Sequence, residues 1–239
     1  MNPQSRREFI QSAATLSLLA GTAALDSAKA ADAPKLNTAF SYQHNPAPLP
    51  FNVKGLKGLS EKMMQSHWEN NYTGAVKALN LVRGRLSQAL NDKDMPPYVY
   101  NGLKREQLIR TGSVVLHEFY FANLGGDGKA SADSRTRLAA SFGSYDAWEA
   151  EFRKIGAGLG GGSGWVVLGF NDKLNLLENY WLADHASHPA DTTPILVMDM
   201  YEHAYQMDYG AAAAKYIDAF FNNIQWDAVA QRLGMTKHS

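Results

Sequence analysis

The chain has 239 residues, 45% hydrophobic and 11% aromatic, enough for one sizeable core or two small ones. Basic and acidic side chains number 23 each, so bulk charge points neither to nucleic acid nor to an anionic membrane surface. With no cysteine there are no disulfides, thiolate metal sites, iron–sulfur clusters or cysteine nucleophile, and any metal must sit on His, Asp, Glu or water.

The N-terminus reads as a targeting segment. "SRREFIQ" (5–11) precedes a short apolar run, "SAATLSLLAGTAAL" (12–25), and an A-x-A cleavage pattern at Ala28–Ala30. Arg6, Arg7 and Phe9 resemble a twin-arginine signal, an address for exporting folded proteins, so residues 1–30 are expected to be removed. An N-terminal anchor helix is the competing reading, but the run is short and rich in Ala, Gly and Thr. Removing it takes away Arg6, Arg7 and Lys29 against Glu8 and Asp26, leaving 20 basic and 21 acidic side chains. The mature protein is then near neutral and periplasmic or secreted, with no other segment apolar enough to cross a membrane.

Residues 31–58, with "NPAPLPF" and "VKGLKG", read as an extended arm. A helix is predicted over 60–90, capped by Ser60, with Met64, Trp68, Tyr72, Val76, Leu79, Val82 and Leu86 at helical spacing. "NDKDMPP" (91–97) is a loop, and a second helix covers 104–125. The two make a helical hairpin domain, 59–125. Beyond it, 126–239 reads as an α/β domain. Short helices at "SRTRLAASFG" and "SYDAWEAEFRKIGAGL" (capped by Ser144) lead to strand-like "GWVVLGF" and "LNLLENYWL", joined by the turn "NDK". "PILVMDM" is a third strand, and "AAAAKYIDAFFNNI" and "WDAVAQRL" are closing helices. The fold class is therefore α+β, a helical hairpin followed by a small three-stranded antiparallel sheet. The run "GAGLGGGSG" (156–164) imitates a nucleotide-binding loop. Its order, however, is helix, glycines, strand, the reverse of what phosphate binding at a helix N-terminus requires.

Seven histidines exist, and taken singly each is more readily structural than functional. Position narrows the field. His67 and His117 each lie in a hairpin helix among apolar and aromatic neighbours, where inward-facing imidazoles can meet. Asp199 and His203, four apart near a strand end, add a carboxylate and a third imidazole, although a helix cap and a packed histidine would use the same residues. Three imidazoles and a carboxylate suit iron or manganese redox chemistry or zinc hydrolysis, and the spacing alone does not choose.

"TPILVMDMYEHAYQMDY" resembles the D-x-W-E-H-A-Y-x-x-D-Y hallmark of the iron/manganese superoxide dismutases. The similarity runs over about residues 45–235: "LPF" (49–51) is similar to that family's N-terminal arm, "GSGWVVL" (162–168) to its first strand, and "DAFFNNIQWDAVAQRL" (218–233) to its C-terminal helices. The resemblance implies a fold of helical hairpin plus α/β domain. It also implies one Fe or Mn ion per subunit on His67, His117, Asp199 and His203, and disproportionation of superoxide to oxygen and hydrogen peroxide. Glu202 falls where relatives bond the partner subunit's last histidine ligand, which implies a homodimer, with a tetramer as the larger alternative. His185 falls where relatives carry a Gln or His bonded to solvent at the metal, and Trp165 on the tryptophan walling the metal cavity.

The same alignment of motifs shows departures at the family's substrate channel. Its histidine and gateway tyrosine fall on Asn71 and Ala75, the hallmark tryptophan on Tyr201, and the tyrosine after the last ligand on Gln206. The guiding arginine falls on Ala213, and the tryptophan beyond the second ligand on Phe121. Tyr72 is placed to enter the vacated space. Loss of these groups is expected to slow proton delivery and weaken attraction of a small anion, so the alternative is a metal-binding protein of this fold with weak or altered redox activity.

Overall fold

The computed structural model describes residues 39–235, so the expected signal segment 1–30 and the start of the expected arm lie outside the described residues. The described residues belong to one compact unit. After a 3-10 turn at Val53–Gly55, its first α-helix is α1 (Glu61–Ser66), and the expected cap is present: the Ser60 hydroxyl accepts from the Met63 N–H at 3.1 Å. Asp208, far away in sequence, accepts from both the Ser60 N–H and its hydroxyl at 2.7 and 2.6 Å.

The predicted single helix over 60–90 is interrupted. A π-helical turn over His67–Tyr72 separates α1 from α2 (Thr73–Leu90), with the Thr73 N–H bonded to the Trp68 carbonyl five residues back. Such a turn inserts one residue into the helical register, and such insertions recur at functional sites. Here it begins on the first candidate ligand. Periodicity cannot show a single extra residue, because the flanking apolar positions continue on either side.

Helix α3 (Pro97–Ala122) starts seven residues earlier than the periodic apolar pattern suggests, with Pro97 at its first position, where a missing N–H is harmless. It packs against α2, and Val76, Leu79 and Val82 of α2 share one buried core with Val114, Leu116 and Phe121. Helices α4 (Ala132–Phe142) and α5 (Tyr145–Leu159) follow, capped by Ser131 and Ser144. Strands β1 (Trp165–Asn171), β2 (Leu176–Leu182) and β3 (Thr192–Asp199) form an antiparallel sheet in the order β2-β1-β3. Helices α6 (Ala213–Phe221) and α7 (Trp226–Met235) end the chain.

Two details of the sheet place the site. Strand β1 is central and buried along its whole length, so it reads as a continuous apolar run. Its register sets Trp165, the first residue of β1, opposite Asp199, the last residue of β3, at the same end of the sheet. The glycine run joins α5 to β1, and Gly164 takes φ +143, which a side chain rarely adopts; a Cβ there would also lie 2.4 Å from the Leu182 carbonyl oxygen. Among the described residues no helix is long and apolar enough to cross a membrane.

Candidate metal centre

Three polypeptide segments converge on one carboxylate oxygen. The π turn carries His67, α3 carries His117, and the end of β3 with the 3-10 turn Glu202–Ala204 carries Asp199 and His203. Asp199 Oδ2 lies 3.1 Å from His67 Nε2, 3.1 Å from His203 Nε2 and 3.6 Å from His117 Nε2. Four potential ligand atoms, one per residue, lie within 4.8 Å of one another. His67, His117 and Asp199 are buried, while His203 keeps a quarter of its side chain exposed.

The neighbours of His117 fix which of its ring nitrogens is available. A backbone carbonyl can only accept, so the 2.7 Å contact between His117 Nδ1 and the Ser113 carbonyl places the proton on Nδ1 and leaves a bare lone pair on Nε2. That Nε2 is buried with no hydrogen-bond partner, a state with a cost of roughly 1–3 kcal/mol unless something binds it. Burial, with the positive field of His67 added, pushes the His117 pKa down to about 3, so the ring is neutral at physiological pH. Burial lowers His67 as well. For Asp199 burial alone would raise the pKa, but His203 and then His67 outweigh it and hold the carboxyl well below its ordinary range. A charged carboxylate with neutral imidazoles is the protonation state of a ligand set. Its Oδ1 accepts from the Tyr201 N–H at 2.8 Å, and its backbone carbonyl accepts from the Tyr216 hydroxyl at 2.6 Å, so the side chain has little freedom.

The orphaned Nε2, the convergence on one oxygen and the absence of thiolate together fit one Fe or Mn ion. An aromatic wall surrounds it. Trp165, Phe121 and Tyr120 pack against the imidazoles at ring-centroid distances of 5.1 to 5.2 Å. The Trp165 Nε1–H donates to His185 Nδ1 at 3.0 Å, which makes that nitrogen the acceptor and puts the proton of neutral His185 on Nε2. The His185 ring lies 6.1 Å from that of His117. Tyr201, at the position of the hallmark tryptophan, is stacked between His185 at 4.7 Å and His203 at 5.4 Å.

His67, His117, Asp199, His203, His185 and Trp165 therefore gather, while Glu202, expected to face a partner subunit rather than this cluster, is exposed. At the positions expected to depart from the family's channel, Ala75 and Ala213 are buried and Gln206 is exposed, while Phe121 covers His67. The Tyr72 ring does approach, 6.3 Å from that of His117, but its hydroxyl bonds to Glu118 and to the arm. Ser113, Tyr216, Glu118 and His44 make contacts around the cluster that local sequence does not announce. Only Ser113 left a signal there, lying one helical turn before His117.

Fold and cluster together define a mononuclear metalloprotein with a three-histidine, one-aspartate ligand set. Residues 130–232 match the family profile described as "Iron/manganese superoxide dismutases, C-terminal domain". The chain is 49% identical over 185 residues to a protein named "Superoxide dismutase [Fe]" from Cupriavidus metallidurans, covering 77% of this chain and 93% of that one. It is 33% identical over 186 residues to "Superoxide dismutase [Fe]" of Aquifex aeolicus (75% and 86% covered) and 30% identical over 191 residues to "Superoxide dismutase [Mn] 2" of Haloferax volcanii (77% and 92%). The chain belongs to the iron/manganese superoxide dismutase family.

Proposed function

We propose that this chain is a superoxide dismutase that uses one Fe or Mn ion held by His67, His117, Asp199 and His203. The observation that carries the reading is the convergence of three imidazole Nε2 atoms on the buried Asp199 Oδ2. The bound ion supplies the one-electron chemistry by which one superoxide leaves as dioxygen and a second, with two protons, leaves as hydrogen peroxide.

The chain's own contribution is orientation and proton control. Ser113 holds the His117 ring in one tautomer, with its proton on Nδ1, and an acceptor on the nitrogen away from the metal also raises ligand basicity. Trp165 holds His185 with its proton on Nε2, where it can donate a hydrogen bond next to the site. The aromatic wall excludes bulk water and strengthens every electrostatic interaction inside. Relatives carry both metals in their names, and the donor set accepts either.

Purified full-length protein, loaded separately with Fe and Mn, should bind one ion per chain and remove superoxide. His117→Ala should abolish both, because it deletes the ligand whose Nε2 has no other partner. Full occupancy without dismutase activity would instead favour a repurposed metalloprotein, which the replaced channel residues Ala75, Gln206 and Ala213 make the second reading.

The mature protein is further proposed to act after twin-arginine export, as a homodimer in which Glu202 meets the partner's His203. Exposure of Glu202 beside the partly exposed His203 supports an interface there. Sedimentation would detect the dimer, and Glu202→Ala should shift it toward monomer. A mature N-terminus found well before residue 25 would count against the signal.

A further inference from the structure

A cavity reaches toward the metal ligands from the arm. It encloses about 280 Å³ and is lined by Ala47, Pro48, Pro50, Tyr72, Glu118 and Phe121, with Ala122 completing it. Its Tyr72 and Phe121 walls are the rings that pack on the ligand histidines: Phe121 lies 5.1 Å from His67, and Tyr72 lies 6.3 Å from His117. One layer of side chains therefore separates this cavity from the ligand cluster.

That layer is tied down from outside. The Tyr72 hydroxyl donates to Glu118 Oε1 at 2.7 Å and accepts from the Ala47 N–H of the arm at 2.8 Å. His44, also on the arm, donates from Nε2 to the same Glu118 oxygen at 2.6 Å. The arm is itself docked on α2, where the His44 backbone exchanges hydrogen bonds with the Asn80 side chain, both at 2.9 Å, and the Trp68 indole donates to the Ala47 carbonyl at 2.9 Å. A carboxylate thus lines this approach, half-buried and braced on two sides. The approach is closed sterically by Tyr72 and is unfavourable to a negative solute.

Resting on the assignment of His67 and His117 as ligands, we propose that Tyr72 closes a second, arm-lined approach to the metal, and that Glu118, braced by His44, positions Tyr72 and keeps small anions out. Superoxide is an anion, so a closed and negatively lined back wall confines it to the side where His203 is exposed. The arrangement also gives the rebuilt channel a physical logic. The gateway tyrosine position is Ala75, and the phenol closing the site is supplied three residues earlier, on the π turn.

The test uses the full chain and azide as the probe anion. Wild type must first hold its ion and remove superoxide; failure at that step would overturn the functional reading itself. Azide affinity is then followed by absorbance of the loaded protein, and exchange of the Ala47 amide by mass spectrometry of the metal-free protein. Tyr72→Ala should bind azide at least tenfold more tightly, by removing half of the separating layer. The conservative Tyr72→Phe should speed Ala47 exchange about tenfold, because it removes the hydroxyl that accepts from that amide, and should raise azide affinity severalfold. Glu118→Gln, whose amide carbonyl still accepts from Tyr72, should raise azide affinity severalfold and leave Ala47 exchange unchanged. Azide affinity unaltered in Tyr72→Phe and Glu118→Gln, with Ala47 exchange alone accelerated, would reduce the clamp to a structural tie and overturn the proposal.

Discussion

A Cβ added to Gly112 would lie 1.7 Å from the carbonyl oxygen of His185, so helix α3 and the loop after β2 approach each other as closely as backbone allows. The loop carrying His185 is thereby seated on the helix that carries His117, at a glycine five residues before that histidine. The obstruction is backbone rather than a flexible side-chain tip, so Gly112→Ala cannot be relieved by a rotamer change. It should destabilise the protein by about 1–3 kcal/mol through overpacking and displace His185 from Trp165. Thermal unfolding of the variant checks the first effect. Loss of activity at full metal occupancy checks the second, and a variant with wild-type stability and rate would contradict both.

Trp165→Phe isolates the hydrogen bond within that seat. The phenyl ring keeps most of the buried surface at the end of β1, but no donor remains for His185 Nδ1. The imidazole is then free to change tautomer, and groups that orient a site in this way typically contribute 10–100-fold in activity or metal affinity. The expected result is a metal-loaded enzyme about tenfold or more slower, with its pH–rate profile displaced. An unchanged profile would mean that the indole N–H does not act through His185.

Much of this was legible in the chain, and the illegible parts have specific causes. Helix caps at Ser60 and Ser144 and the hairpin around "NDK" follow from local chemistry, which acts over three or four residues. His67 and His117 stood out because a buried imidazole is unexpected among apolar neighbours. The π turn did not, since one inserted residue leaves the apolar period almost intact. Glu118 looks like an ordinary exposed helix charge until the arm folds back 74 residues to set His44 against it. Tyr216 likewise meets the Asp199 carbonyl only through tertiary packing. Contacts between distant segments are set by the fold, so no local pattern announces them.

Acid should destabilise the metal-free protein through the same histidines. The His117 pKa falls from its ordinary value of 6.5 to about 3 on folding, so below pH 6.5 the unfolded chain takes up a proton that the folded one refuses. Stability from this group is complete above pH 6.5 and declines as pH falls toward 3, by about 2 kcal/mol at pH 5. His67 and Asp199 are also depressed, so each acts in the same sense, Asp199 in the carboxylate range and below. Urea unfolding of the metal-free protein at pH 7 and pH 5 measures the difference. His117→Leu, which fills the same space without a titrating ring, should flatten that dependence by a comparable amount. Equal slopes in the two proteins would show that His117 is not the group that acid attacks.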